Sequence, residues 1–175
     1  ERAERFCQPC AAGSVRWDGV DLRSLRLASL RRQIAMVTQE SFLFDDTVAA
    51  NIRMGSEGLA EERVHQVAQA VHADTFVRRL PQGYATRLAE RGANLSTGQR
   101  QLLAFARALA AEPDVLVLDE ATSSVDSETE ALVEDATRTL LAGRTALVIA
   151  HRLSTIVSAD RILVLHKGRV HEEGR

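Results

Sequence analysis

The chain is almost without lysine. Of its 22 basic residues one is Lys167, so the remaining 21 are arginine. A phosphate-cradling G-x-x-x-x-G-K-[ST] loop needs a lysine directly after a glycine. Lys167 follows His166, so this sequence contains no such loop. Long hydrophobic runs are lacking as well. No apolar stretch approaches the ~20 residues that cross a bilayer, which excludes a transmembrane helix within the sequence. Cysteine is scarce: Cys7 and Cys10 form one C-x-x-C with no second pair. A zinc site would need two further ligands, and a redox motif would need a thioredoxin-like strand and helix around it. The two thiols therefore read as ordinary reduced cysteines of a cytosolic protein. Neither sign of charge dominates, and a formal net charge of -2 leaves no basic excess for collecting nucleic-acid phosphates. The sequence shows no repeat or low-complexity tract, and no signal peptide is expected. The first residue is Glu1 rather than a methionine, so the expectation is a fragment whose start is not the start of the gene.

What is present is an ordinary globular mixture, 45% hydrophobic and 26% charged. A chain of 175 residues makes one domain and buries about two-thirds of its unfolded surface. Residues 14–21 carry an Asp18-Gly19 turn between short apolar stretches and predict strand, turn, strand. Ile34 to Val37 is a run of strand length leading to Thr38-Gln39. From about Ser41 to Arg107 the periodicity is helical, with Val64, Val67, Ala68 and Val71 on one face. Pro81 and Gly83 punctuate it.

From Gln99 to Ala111 the sequence is apolar on nearly all sides, which predicts a buried helix ended by Pro113-Asp114. Val115 to Leu118 then reads as a strand buried on both faces of a parallel sheet. A helix over about 127–141 follows, with a stop at Gly143. Thr145 to Ile149 and Arg161 to Leu165 read as second and third buried strands. His166 to Arg169 turns into a last short strand from Val170. Strands separated by helices imply parallel crossovers and a three-layer α/β domain.

Two local patterns carry chemistry. The strand ending at Leu118 is followed by the adjacent carboxylates Asp119 and Glu120, at the edge where parallel sheets bind ligands. An aspartate there can hold a phosphate-bridging Mg²⁺, and a neighbouring glutamate can take a proton from water. By itself the pattern is also that of a strand with an acidic turn. Ser96 stands three residues before Gln99 at the start of the buried helix, a capping-box pattern whose free N–H groups and positive dipole end suit an anion. By itself that pattern is also an ordinary helix start. Asn94 to Gln101, the helix, the apolar strand with its acidic pair, and Ala121 to Asp126 form one ordered assembly.

That assembly resembles the signature motif, Walker B strand and D-loop of an ABC-type ATPase. His151 matches the family's switch histidine and Gln39 its Q-loop glutamine. Phe42 to Ile52 resembles the segment of exporters that meets transmembrane coupling helices. Glu90-Arg91-Gly92 resembles the exporter loop that senses the partner domain. The resemblance covers essentially the whole chain. It implies a P-loop NTPase (RecA-like) three-layer core with a helical subdomain, truncated at its N-terminus. The implied division is 1–38 as the remainder of the core with N-terminal strands, 39–106 as Q-loop, helical subdomain and signature, and 107–175 as core with Walker B, D-loop and switch histidine.

The function implied is ATP hydrolysis at a dimer interface to drive transmembrane export, with ATP and Mg²⁺ as cofactors. The implied partners are a second ATPase domain, the same or different, and a transmembrane domain, at the cytoplasmic face of the membrane. By the same resemblance Asp119 and Gln39 orient the metal, Glu120 is the general base, and His151 contacts the γ-phosphate. Ser96, Gly98 and Gln99 close over a nucleotide held by the opposite subunit, and Asp126 communicates across the dimer. A non-catalytic partner half and a soluble ABC ATPase are the alternatives. Thr97 departs from the pattern, standing where the signature often has glycine. The P-loop and its strand are expected before Glu1, so the 175 residues alone are expected neither to bind nor to hydrolyse ATP, and to be marginally stable.

Overall fold

Asp18 and Gly19 both take positive φ, 46° and 81°, the left-handed pair that a two-residue hairpin loop demands. They join β1 (Arg16–Trp17) to β2 (Val20–Asp21), an antiparallel pair as expected. The computed structural model describes residues 13–39, 41–56, 58–119, 127–150 and 153–175. In chain order α1 (Leu27–Gln33), β3 (Ile34–Val37), α2 (Val48–Arg53), α3 (Glu61–Ala70) and α4 (Ala73–Val77) follow. Then come α5 (Thr97–Ala110), β4 (Val115–Asp119), α6 (Ser127–Leu141), β5 (Thr145–Ile149), α7 (Leu153–Val157), β6 (Ile162–His166) and β7 (Arg169–Gly174).

The stretch from Ser41 to Arg107 is three helices and the front of a fourth, separated by loops and 3₁₀ turns, rather than one helical tract. The predicted face of α3 holds: Val64, Val67 and Ala68, with Val71 just beyond, are all fully buried. α5 is the hub, packed against α2, α3, α4, α6 and β3. Besides Gly98, its buried residues run from Leu102 to Ala110, interrupted by the half-buried Arg107.

β3, β4 and β5 form a parallel sheet in that order, with Val37 opposite Leu118 and Leu118 opposite Val148. Side chains alternate across it. Ala35, Val37, Leu116 and Leu118 join Leu102, Leu103, Val133 and Leu140 in the core. The opposite face is apolar but open: Met36 is 65%, Leu147 61% and Ile149 52% exposed. Two expectations are corrected here. β4 is fully buried on one face only, with Val115 and Val117 half-buried, and β5 is largely exposed rather than buried. β5 has a strand on one edge only among the described residues, and apolar content cannot reveal which neighbours cover a strand.

A third correction concerns β6. It is an exposed strand paired antiparallel with β7, not a buried member of the parallel sheet. The connection is the Lys167–Gly168 turn, with φ of 49° and 74°, and a two-residue loop joins antiparallel neighbours rather than crossing over.

Candidate functional site at the sheet rim and the start of α5

The register of the parallel sheet brings three segments to one rim. Val37 lies level with Leu118 and Val148, so Thr38 is one step beyond, level with Asp119 and Ile149. Gln39 and Ala150 lie one step further still. Asp119 is half-buried and Gln39 exposed. No described side chain bonds the Asp119 carboxylate. Among the described residues no cluster of three or more His, Cys, Asp or Glu could cage a metal. Glu120, Asp126 and His151 lie outside the described residues.

The start of α5 is the second candidate segment. Ser96 is in extended conformation, φ -67° and ψ 162°. Its Oγ accepts from the Gln99 N–H at 3.2 Å, while Gln99 Oε1 accepts from the Ser96 N–H at 3.0 Å. This is the capping box that Ser96 and Gln99 predict. It leaves the N–H groups of Thr97 and Gly98 without a described acceptor at the positive end of a 14-residue helix. Thr97, the departure from the signature, is accommodated as the first helical residue, exposed, its Oγ1 accepting from Arg100 Nη2 at 3.0 Å. Arg100 Nη1 donates to the Leu95 carbonyl at 2.7 Å and ties the turn from behind. No described hydrogen bond joins Ser96, Gly98 or Gln99 to Gln39 or Asp119.

The Phe42 segment has a construction that the sequence did not reveal. Asn51 is buried in α2. Its Oδ1 accepts from the Phe44 N–H at 2.9 Å, and its Nδ2 donates to the carbonyls of Phe44 and Thr47, both at 3.0 Å. Arg107 reaches across from α5, with Nε to the Asn51 carbonyl at 2.8 Å, Nη2 to Asn51 Oδ1 at 2.9 Å and Nη1 to the Phe42 carbonyl at 2.8 Å. Burial pushes its guanidinium below the usual arginine range. Phe42 and Phe44, exposed and edge-to-face at 4.8 Å, stand on this base. The available signal was an arginine, Arg107, within the apolar run from Leu102 to Ala110.

The Glu90-Arg91-Gly92 loop is joined to the same segment. The Leu88 N–H donates to the Asp46 carbonyl at 2.9 Å and the Val48 N–H to the Thr86 carbonyl at 3.0 Å. Glu90 and Arg91 are exposed and Gly92 buried.

The profile of a family described as "ABC transporter" matches residues 5–123. The chain belongs to the ABC transporter family. Among its relatives, the ABC transporter ATP-binding protein YknV of Bacillus subtilis is 54% identical over 164 residues, a match covering 94% of this chain and 27% of that protein. An ATP-dependent lipid A-core flippase of Desulfotalea psychrophila is 51% identical, covering 93% of this chain and 28% of its own. The solved structure of a bacterial Atm1-family ABC exporter with ATP bound superposes with a TM-score of 0.84 at 41% identity, covering 94% of this chain and 29% of that one. The α/β architecture is accordingly that of the ABC ATPase, a P-loop NTPase fold, and the chain spans a little over a quarter of the length of these relatives. Among the described residues no helix is long and apolar enough to cross a membrane.

Proposed function

We propose that this chain is part of the ATPase domain of an ABC exporter, which hydrolyses ATP between two such domains to drive export across a membrane. The observation that carries it is the presence, in one chain, of a carboxylate, Asp119, at the carboxyl rim of a parallel sheet and of an exposed, self-capped helix start at Ser96. Each suits one half of a triphosphate site, and no described hydrogen bond joins the two, which supports a clamp closed by a second copy. The relatives named for flipping lipid A-core and the ATP-bound exporter support the same reading.

In that site Asp119 and Gln39 hold Mg²⁺, which neutralises charge on the phosphates when bound. Glu120 takes the proton of the attacking water, and His151 contacts the γ-phosphate. The free N–H groups at Thr97 and Gly98, with Ser96 and Gln99, cover the nucleotide of the opposite domain, and Asp126 relays its state. Phe42 to Ile52 meets the transmembrane region, and the assembly sits at the cytoplasmic face of the membrane. The division into 1–38, 39–106 and 107–175 follows this reading, with α2, α3 and α4 packed on α5 as its helical part.

The deciding experiment uses the full-length protein. Glu120→Gln is expected to lower turnover by about 10²–10⁴-fold, while ATP still draws two domains together. Unchanged turnover would remove Glu120 as the base and favour a non-catalytic partner. The 175 residues alone, without a glycine-lysine phosphate loop, are expected to show no micromolar Mg-ATP binding in calorimetry. Such binding would contradict the dependence on a P-loop.

A further inference from the structure

We propose that Arg107 is a positioning residue that links the nucleotide-facing start of α5 to the exposed Phe42–Phe44 pair, so that the two move as one body. This deepens the preceding reading and rests on it.

Arg107 is anomalous where it stands. Its neighbours Leu102, Leu103, Phe105, Ala106, Ala108 and Leu109 are buried and apolar. No carboxylate pairs with it among the described residues. A half-buried guanidinium without an acidic partner is costly, and a leucine or methionine would fill the space with less penalty. What it does instead is specific. All three of its hydrogen bonds go to oxygens of Phe42 and Asn51, and its guanidinium carbon lies 5.7 Å from the centroid of the Phe44 ring. Every contact converges on the base of two aromatic rings that project outward. Large exposed apolar side chains on an ordered base mark a surface made for a partner.

Ten residues separate Thr97 from Arg107 along α5, about 15 Å of continuous helix at 1.5 Å per residue. The same rigid element therefore ends in the anion-facing turn and carries the arginine that fixes the aromatic pair. A planar fork with three donors in fixed geometry does this, and a lysine ammonium on a flexible stem cannot reproduce it.

The test is hydrogen–deuterium exchange on the full-length protein in lipid nanodiscs, carrying Glu120→Gln so that ATP is held unhydrolysed, with and without Mg-ATP. With Arg107 intact, ATP is expected to slow exchange both over 95–101 and over 42–46. With Arg107→Lys added, protection over 95–101 and the KM for ATP measured with Glu120 restored are expected to persist, while the ATP-dependent protection over 42–46 is lost. Persistence at both segments in Arg107→Lys would overturn the linkage. Loss at both would overturn it too, by showing that Arg107 acts on the nucleotide site or on folding. Arg107→Gln, neutral and still a donor, takes the place of the lysine variant if the latter does not assemble, and is read by the same outcomes. If ATP protects neither segment with Arg107 intact, the exporter reading fails and this inference falls with it.

Discussion

Gly92 lies so close to Leu43 that a β-carbon on it would stand 2.9 Å from Leu43 Cδ1. Leu43 is fully buried and flanked by Phe42 and Phe44, whereas Gly92 closes the Glu90-Arg91 turn. The loop resembling a partner sensor and the segment resembling a membrane contact are thus in van der Waals register. Gly92 also has φ of +67°. Gly92→Ala therefore combines left-handed strain of about 1–2 kcal/mol with overpacking of roughly 1–3 kcal/mol. Gly143 has a similar φ of +71° but nothing within 4 Å of an added β-carbon, so Gly143→Ala isolates the strain. Thermal unfolding of the full-length protein is expected to rank Gly92→Ala clearly below Gly143→Ala; equal midpoints would show that Leu43 yields freely.

Ser96 has two separable roles. Its Oγ caps α5, and its position faces the proposed phosphate. Ser96→Ala is expected to cost about 1 kcal/mol of stability and to weaken ATP-driven pairing. Ser96→Asp keeps a good cap and favours the helix dipole, yet it sets a carboxylate against the phosphates. It is expected to match the wild type in unfolding while abolishing ATP-dependent pairing in size-exclusion chromatography. Pairing that survived Ser96→Asp would remove the turn from the nucleotide site.

Asn51 is the better target for stability. Replacing it with alanine leaves the Phe44 N–H and part of the Arg107 guanidinium without partners, while the Phe44 and Thr47 carbonyls keep the backbone N–H groups of Asp46 and Asn51. Buried groups left unsatisfied cost about 1–3 kcal/mol each before relaxation, so a loss of roughly 2–4 kcal/mol is expected. Denaturant unfolding followed by exchange at the 42–46 amides measures it, and a change below about 0.5 kcal/mol, the level of a neutral surface substitution, would show that water replaces the side chain without penalty.

Tyr84 supplies a pH dependence. Burial, then the Tyr84 Oη–H to Asp74 Oδ1 bond at 2.7 Å, push its phenol above the ordinary value of 10.0. A raised value in the fold means that the neutral phenol is favoured there. Its contribution is whole below pH 10 and declines as pH rises above it, once the unfolded chain ionises first. Tyr84→Phe is expected to cost about 1 kcal/mol near neutrality and to lack that decline, so the two stability curves converge in alkali. Parallel curves would contradict the assignment.

Local patterns were legible in the sequence where the physics is local. The Asp18-Gly19 turn, β3 over Ile34–Val37, α6 over Ser127–Leu141 and the Ser96–Gln99 box all depend on residues within a few positions of one another. What was not legible depends on distant neighbours. Thr145 to Ile149 has the composition of a buried strand, but Leu147 and Ile149 are open because coverage is a property of the other layers. The turn from His166 to Arg169 was legible, but that β6 lies exposed outside the parallel sheet was not. Arg107 and Asn51 meet across 56 positions, and only a charge misplaced in an apolar helix hinted at it. Of the candidate site, Gln39, Ser96, Gly98, Gln99 and Asp119 are placed at the rim and at the helix start, while Glu120, Asp126 and His151 lie outside the described residues.

The reciprocal bonds between Ser96 and Gln99 have a kinetic meaning. A turn that already holds its own shape needs no template, so in the proposed site an arriving triphosphate would meet a preformed surface. The ordering entropy that a floppy loop would surrender at each encounter has been spent once, during folding. Engagement should then be limited by how often two bodies collide in the right orientation, and release by how fast the phosphate chain is cut.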